Sequence, residues 1–441
     1  MRKIIMLGEE HVTTEQEASS EVRTKPLRTV KRGPVYQFVL VGLLSLNFGI
    51  VFFDRNALNF LMPYVQPDLN LTNTHIGILA SALSLTWAIA GLLISAASDK
   101  AANRKGFLLV SIVVFSLCSV LSGLATSFLM LLGARLLMGA AEGPINPISQ
   151  TLVVREVDPR HRGLAMGVMQ NFGSNFFGSF VAPVVLVAIA AAWGWRNAFF
   201  LAGIPGIVTA LLIWKFIDEP PEEPKPEGGP DRLTLKEAFS YKNIVVCSVV
   251  SVLLVSYLVI TWAFMPLYLT QVKGVDPGVM SWLMGTLGIS ATIGSFVVAG
   301  LSDRIGRKPV LVAIPFLGVI LPLGAMFFDG SPWVLAVIFF FGWALNGCFP
   351  LFMATVPSET IQSAHVATAL ALVMATGEVF GGVLSPFFAG VAADLWGLSA
   401  PLWIIFGFAI AAGTCATALT ETAPIKRAQA QASTTEPTPG L

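Results

Sequence analysis

Twelve apolar runs dominate the sequence, and each is long enough to cross a bilayer as a helix. Charged residues and clusters of Pro or Gly bound the runs, which predict helices over 38–64, 76–98, 106–126, 128–152, 163–190, 197–217, 243–270, 279–300, 309–328, 332–356, 364–392 and 398–420. A spanning helix needs about 20 mostly apolar residues. Charged residues make up 12% of the 441-residue chain, whereas soluble proteins contain about 25%. The sequence therefore excludes an ordinary soluble enzyme and predicts an all-α membrane protein with 12 transmembrane helices.

A polar segment divides these helices into two groups of six. Residues 218–230 are rich in Pro and acidic side chains, so they are too polar to span a membrane and unsuited to a packed helix. The predicted organisation, in chain order, comprises a cytosolic tail over 1–37, a six-helix bundle over 38–217, a cytosolic linker over 218–242, a second six-helix bundle over 243–420 and a cytosolic tail over 421–441.

The basic residues assign a side to each loop. With both termini and the linker on one side, 23 of the 27 Lys and Arg residues lie there, and only Arg196 and Lys273 lie opposite. Positive charge stays on the side that is not translocated. We therefore expect a multi-pass protein of the plasma membrane, the inner membrane of a bacterium, with both termini in the cytosol. Arg55 and Arg135 are assigned to neither side, because both lie within apolar runs.

Three landmarks recur at nearly one spacing and predict two homologous halves. They are an acidic and basic loop after the second helix of each half, a polar residue before Gly in the fourth helix, and Trp-Gly after the fifth. The paired residues are Asp99 and Asp303, Glu142 and Asn346, and Trp193 and Trp396, at offsets of 204, 204 and 203. Two parallel halves of this kind place a binding site between them near the middle of the bilayer, and one half rocks against the other.

The same repeat makes a prediction about the site itself. The 203-residue offset pairs Asn175 in the fifth helix with Glu378 in the eleventh. Because equivalent helices occupy equivalent places in the two halves, we expect both side chains to face the central cavity.

Several motifs resemble those of the major facilitator superfamily, over about residues 36–420. The loop Leu-Ser-Asp-Arg-Ile-Gly-Arg-Lys over 301–308 is similar to the signature between the second and third helices of each half, and residues 133–139 with Arg162-Gly163 are similar to the second motif. The resemblance implies that superfamily's fold of two pseudo-symmetric six-helix bundles. Residues 173–178 lack the Pro of the Gly-Pro motif in drug/proton antiporters, which disfavours that activity.

Within the superfamily, residues 54–58 together with Arg135 and Glu142 resemble the anion:cation symporter branch, which carries sugar acids and other carboxylates. The resemblance implies that Asp54 and Glu142 carry coupling protons and that Arg55 and Arg135 hold the substrate or its counter-charge. The remaining substrate-binding candidates are Trp87, Asn175, Trp262, Asn346 and Glu378. Helix eleven lacks the sugar-contacting asparagine of galactonate-type members, so a sugar acid and an aromatic or aliphatic carboxylate both stay open.

Charged residues inside spanning helices need a partner or a cavity, because an ionised side chain at a helix centre costs ~2.5–3.5 kcal/mol. Arg135 and Glu142 are two helical turns apart, about 10.5 Å, and are too distant to pair. We expect Asp54 to be the partner of Arg135. Protonating Asp54 would then release Arg135 for an anionic substrate, with Glu142 as a second proton site. Arg55 offers the planar fork that suits a carboxylate.

A second group of charged residues is expected to act in gating. Asp99, Arg104, Asp303 and Arg307 lie at the cytosolic mouth, where ion pairs between the halves would hold the outward-facing state closed and break when the halves rock. A solvated loop whose basic residues only set the topology is the alternative interpretation.

The sequence thus favours proton-coupled uptake of a small organic anion by alternating access. A passive facilitator and a non-transporting sensor of the same fold are the alternatives. No nucleophile and base pair, phosphate loop or HExxH motif indicates an enzyme, and no metal-ligand spacing surrounds the four cysteines. We expect no cofactor beyond the proton gradient, and protons, the anionic solute and the lipid bilayer as partners. A net charge of +1 disfavours a nucleic-acid partner, and we expect a monomer.

Overall fold

The computed structural model describes residues 33–101, 103–158, 160–220, 235–361, 365–424 and 426. Most of the two predicted tails and the centre of the predicted linker lie outside the described residues. The described chain consists of helices and their connections, without a strand.

Twelve helices in the described chain are long and apolar enough to cross a membrane. They are α1 (Pro34–Asp68), α2 (Asn73–Ala101), α3 (Arg104–Gly123), α4 (Phe128–Glu156), α5 (Arg162–Trp193), α6 (Trp195–Phe216), α7 (Lys242–Val272), α8 (Pro277–Ile305), α9 (Arg307–Phe327), α10 (Pro332–Thr360), α11 (Thr368–Trp396) and α12 (Ser399–Ala416). The predicted fold class and number of helices are confirmed. Most helices extend past their predicted bounds, because a helix continues through polar end residues at which an apolar run stops.

Local sequence signals explain several helix ends. The Asp276 side chain accepts a hydrogen bond of 2.8 Å from the Gly278 N–H at the start of α8, and Pro277 occupies the first helical position. Gly194 and Gly397 have φ angles of 86° and 83°, and they form the tight corners between α5 and α6 and between α11 and α12. Glycine adopts such angles without strain, which explains why Trp-Gly recurs after the fifth helix of each half.

Four helices are irregular at a predicted site residue. α5 contains wide π-helical turns over Ser174–Val181, and α11 contains the equivalent turns over Gly377–Leu384. α4 is interrupted after Glu142, and α10 tightens into a 3₁₀ segment over Trp343–Cys348. Turns of this kind frequently occur at functional sites, and here they recur at repeat-related positions.

The two halves contact each other at the face where α1 ends and α2 begins, which we call the outer face. There Gln271 Nε2 donates to Gln66 Oε1 at 2.8 Å. Deeper in the bundle, the Phe60 ring of α1 lies edge-on to Trp262 of α7, with centroids 5.7 Å apart. The opposite face, at which α2 ends and α3 begins, is called the basic face. It contains the cation-rich loops around Arg104 and Arg307.

Candidate functional site

A cavity of about 280 Å³ lies between the two halves. It is small but close to the ~300 Å³ lower end of small-molecule pockets. Its wall contains each residue that the sequence predicts to bind substrate, namely Arg55, Trp87, Arg135, Asn175, Trp262, Asn346 and Glu378. These residues come from seven different helices, so only the folded bundle brings them together.

Arg55 is held at the cavity wall by two aromatic rings. Its guanidinium carbon lies 5.7 Å from the Phe52 ring centroid and 5.4 Å from that of Trp87. Both distances allow a cation–π interaction, which is stronger away from water. Among the described residues, no carboxylate comes within ion-pair distance of Arg55. Within the described chain, the guanidinium is thus positioned without a direct ion pair.

Arg135 is almost completely buried, with 1% of its surface exposed. Its Nη1 donates to the Arg55 carbonyl oxygen at 3.3 Å and lies 3.5 Å from Met138 Sδ. Its Nε and Nη2 have no hydrogen-bond partner in the part of the chain that the structure describes. A buried cation with two unused donors strongly favours an anion that can supply acceptors.

Asp54 lies fully buried in α1, and its Oδ1 accepts a hydrogen bond of 2.5 Å from the Ser119 hydroxyl of α3. Its Oδ2 has no partner among the described residues. The expected direct pairing of Asp54 with Arg135 is therefore wrong for this conformation. The reason is that Ser119 binds the carboxyl group, whereas Arg135 reaches the Arg55 carbonyl and the cavity.

Glu142 lies at the end of the first segment of α4, with 1% of its surface exposed. Neither of its carboxylate oxygens has a hydrogen-bond partner within the described chain. Like Asp54, Glu142 is buried inside the first half instead of lining the cavity. The two candidate proton sites thus lie behind the cavity wall that Arg55 and Arg135 form.

The four predicted gating residues lie at the basic face and pair within their own halves. Arg104 Nη2 is 2.7 Å from Asp99 Oδ1, and Arg307 Nη1 is 2.5 Å from Asp303 Oδ1. Arg307 also pairs with Glu359 of α10 at 3.0 Å. In this conformation the described residues therefore show intra-half pairs instead of the inter-half pairs expected for an outward-facing state. The gating role stays a prediction.

Sequence reasoning missed two acidic residues that cap helices. Glu219 accepts hydrogen bonds from the Arg104 and Lys105 backbone N–H groups at 2.8 and 2.6 Å, at the start of α3. Glu421 makes the equivalent contacts at the start of α9, with the N–H groups of Arg307 at 2.9 Å and Lys308 at 3.1 Å. The two acids are 202 residues apart, so a longer search for the repeat would have found them.

An acidic residue at the outer face was also missed. Asp394 near the end of α11 accepts hydrogen bonds from the N–H groups of Asn73 at 2.9 Å and Thr74 at 2.8 Å, and from the Thr74 hydroxyl at 2.6 Å. A carboxylate of the second half thus caps the N-terminus of α2 in the first half. Its presence near the end of an otherwise apolar run was the available signal.

Two repeated six-helix halves around a central cavity that contains charged and apolar side chains are typical of a membrane transporter. The chain matches the Major Facilitator Superfamily over residues 44–263 and 250–439, and it belongs to that family. Membership confirms the resemblance inferred from the loop and helix motifs. The chain is therefore a protein of a transporter family and not an enzyme, and it is a multi-pass membrane protein.

Curated relatives agree with this assignment. The chain is 32% identical to the hexuronate transporter of Bacillus subtilis (strain 168) over 63% of this chain and 67% of the relative. It is 29% identical to a probable 4-methylmuconolactone transporter of Cupriavidus pinatubonensis, over 67% of this chain and 70% of that one. The crystal structure of a D-xylose-proton symporter covers 88% of this chain and 99% of its own at 18% identity, with a TM-score of 0.71. This structural likeness supports the assigned fold.

Proposed function

We propose that this protein is a secondary active transporter that takes up a small organic anion together with protons by alternating access. The observation that carries the proposal is the pair Arg55 and Arg135 at the cavity wall, without an ion-pair partner among the described residues. A carboxylate can supply the acceptors that both guanidinium groups lack, with charge-assisted and bidentate geometry.

The relatives support an organic anion. One is named a hexuronate transporter and the other a probable 4-methylmuconolactone transporter. A hexuronate carries a carboxylate, the group for which two cavity arginines are suited. The aromatic and aliphatic side chains of the cavity wall, such as Trp87, Leu258 and Phe349, also suit the carbon skeleton of an aliphatic or aromatic acid.

Asp54 and Glu142 are the proposed proton carriers. Both are buried in the same half as the two arginines, and both have carboxyl oxygens without a partner among the described residues. Burial favours the protonated form of a carboxyl group, and a nearby arginine favours the ionised form. Occupancy of the arginines by an anion therefore changes the proton affinity of these acids, which couples the two ligands.

Alternating access requires the contacts at the two faces to form at different times. In this conformation Asp394 and Gln271 join the halves at the outer face, and the gating pairs at the basic face stay within each half. We propose that the outer contacts break when the halves rock and that the basic-face charges then pair across the halves. We also propose cytosolic termini, a bacterial inner-membrane location and a monomer.

The test uses purified protein in proteoliposomes. A thermal-shift comparison of glucuronate, benzoate and hexanoate selects the labelled probe, because a ligand that binds the folded state stabilises it. We expect an inward proton gradient to drive accumulation by the wild type. Asp54→Asn is expected to retain exchange of labelled for unlabelled anion but to lose gradient-driven accumulation.

Asp68→Asn is the matched control, because Asp68 is the last residue of α1 and pairs with Arg196 at the surface. It should retain gradient-driven accumulation. An unchanged response of Asp54→Asn to the proton gradient would contradict the coupling role. Equal uptake by the wild type with and without the gradient would identify a passive facilitator, and binding without transport would identify a sensor.

A further inference from the structure

We infer that Glu378 is a specificity-determining residue that selects carboxylates bearing a hydroxyl or amino group. This inference rests on the proposed function, because it assumes that Arg55 and Arg135 bind the carboxylate. Glu378 is the acidic side chain among the described residues that line the cavity, and it comes from the half opposite to both arginines. It therefore adds a second recognition element with the opposite charge.

The backbone provides room for the Glu378 carboxylate. A Cβ atom placed on Gly382, one turn further along α11, would lie 2.8 Å from Glu378 Oε2. Any side chain at position 382 would therefore displace the carboxylate. The same Cβ position lies 3.6 Å from the Cβ and Oγ atoms of Ser84 in α2. The carboxylate of Glu378 thus lies at the seam between the two halves, beside α2.

Ser84 lies on the same helix as Trp87, and this helix connects the surroundings of Glu378 with those of Arg55. Ser84 and Trp87 are three residues apart on α2, which corresponds to about 4.5 Å along the helix axis, and Trp87 contacts the Arg55 guanidinium. Glu378 and Arg55 nevertheless form no ion pair within 4 Å in the described chain. Both charged groups line the same cavity of about 280 Å³, so one small ligand can contact Arg55 with its carboxylate and Glu378 with a nearby donor group.

The chemistry of the carboxylate determines what it selects. Glu378 is half-buried and has no hydrogen-bond partner among the described residues. An ionised carboxyl group accepts hydrogen bonds only. In its ionised form, the Glu378 carboxylate attracts a hydroxyl or an ammonium group and repels an anion that offers no donor. A site built to bond a hydroxyl or amino group discriminates strongly against analogues that lack it, because its own polar group is then left unpaired.

Three six-carbon acids test the inference with matched carbon number. Hexanoate has no donor besides its acid group, gluconate has hydroxyl groups, and 2-aminohexanoate has an ammonium group. We expect the wild type to bind gluconate or 2-aminohexanoate about 10- to 100-fold more tightly than hexanoate, measured by isothermal titration and by competition in exchange assays. The two donor-bearing acids distinguish hydroxyl from ammonium recognition.

Glu378→Ala is expected to abolish this preference by weakening the donor-bearing acids while hexanoate binding stays equal or tightens. Glu378→Gln keeps an acceptor oxygen and should retain part of the preference for gluconate but less for 2-aminohexanoate. The control is Asp329→Asn in the same half, because Asp329 pairs with Lys273 at the outer face, away from the cavity. It should leave all three affinities unchanged.

Several outcomes would overturn the inference. They are a preference that survives in Glu378→Ala, an equal loss of affinity for all three acids, and a changed proton-gradient response with the preference intact. The last result would make Glu378 a coupling residue. If the wild type binds and transports carboxylates without any preference, this inference fails while the proposed function stands. If it binds no carboxylate at all, the proposed function itself fails.

Discussion

The first half of the molecule concentrates charge at the level of the cavity, and the second half replaces most of it with apolar side chains. The 204-residue repeat pairs Arg55 with Val259 and Arg135 with Phe339. Val259 also lines the cavity, and Phe339 is fully buried. The backbone plan of the two halves is therefore shared, but the chemistry is not. The difference supports the proposal that the first half binds the anion and the protons, whereas the second half supplies a mainly apolar wall and, among the described residues, the Glu378 carboxylate.

The irregular helices show the same difference between the two halves. Both halves widen their fifth helix at the same place, yet one presents the amide of Asn175 and the other the carboxylate of Glu378. Because the backbone irregularity is shared and the side chains differ, we expect the wide turns to position the side chain at the cavity. The chemistry of that side chain, an amide or a carboxylate, would then determine which ligand group it binds. Substitutions at repeat-related positions can therefore separate the contributions of the two halves.

The largest expected effect comes from replacing Arg55 with Ala. Val259→Ala, at the repeat-related position, is the variant with which it is compared. Loss of a charge-assisted contact costs about 1.5–3 kcal/mol, which corresponds to roughly 10- to 150-fold in affinity. We therefore expect Arg55→Ala to raise the half-saturating concentration of the labelled anion by that factor. Val259→Ala removes only apolar contact, and we expect about a threefold change, or ~0.7 kcal/mol.

Arg55→Lys refines this measurement. It keeps the charge but loses the planar fork, so an intermediate loss is expected. Uptake kinetics in proteoliposomes at several anion concentrations provide the values. Equal losses for Arg55→Ala and Val259→Ala would contradict the division of labour between the halves, because charge would then contribute no more than packing.

A smaller effect is expected from breaking the contact that joins the halves at the outer face. Asp394→Ala removes three hydrogen bonds to Asn73 and Thr74. Because all three bonds are exposed to solvent, we expect their loss together to cost about 1 kcal/mol, which raises the population open to the outer face about fivefold. The measurement is the labelling rate of Ala80→Cys, which lines the cavity, by a membrane-impermeant thiol reagent applied from the outer side.

Asp329→Ala is the matched control for this experiment. Asp329 is also an outer-face acid of the second half, but its ion pair with Lys273 lies within that half. We expect its labelling rate to match that of the protein with Ala80→Cys alone. An equal increase in both variants would show that loss of surface charge, and not loss of the inter-half contact, opens the outer face.

Much of the fold and of the cavity was predictable from the sequence. The twelve helices follow from hydrophobicity, since every spanning segment must satisfy its backbone internally as a helix. Arg55, Arg135 and Glu378 were predicted to line the cavity because charged side chains in apolar runs are costly unless they have a partner or face a cavity. The pairing of Asn175 with Glu378 followed from the repeat alone.

The partners of the charged residues were less predictable. Asp54 was expected to pair with Arg135 but accepts a hydrogen bond from Ser119 instead. Serine is small and common in membrane helices, so its sequence position carries no signal for such a contact. Asp394 reaches a helix terminus more than 300 residues away in sequence. Contacts of this range depend on how the two halves dock, which hydropathy and spacing do not specify.

The smallest effect tests a feature in which the two halves are equivalent, namely the caps formed by Glu219 and Glu421. We expect Glu219→Ala and Glu421→Ala each to cost about 1 kcal/mol and to lower the Tm in detergent by about 2–4 °C. Asp329→Ala removes only a surface ion pair and should cost less than about 1 kcal/mol. A large effect of one cap and none of the other would show that the halves differ here too.

The Glu421 cap also predicts a pH dependence. Burial raises the pKa of its carboxyl group, but hydrogen bonds from the N–H groups of Ala423, Arg307, Lys308 and Thr422 outweigh burial and hold the pKa below its usual value. Stabilisation from a lowered pKa is fully present above the unfolded pKa of about 4.3 and is lost as the pH falls through the folded pKa. The Tm difference between wild type and Glu421→Ala should therefore be constant near pH 7 and shrink below about pH 4. A difference that persists unchanged at the lowest pH would mean that the carboxylate charge does not form the cap.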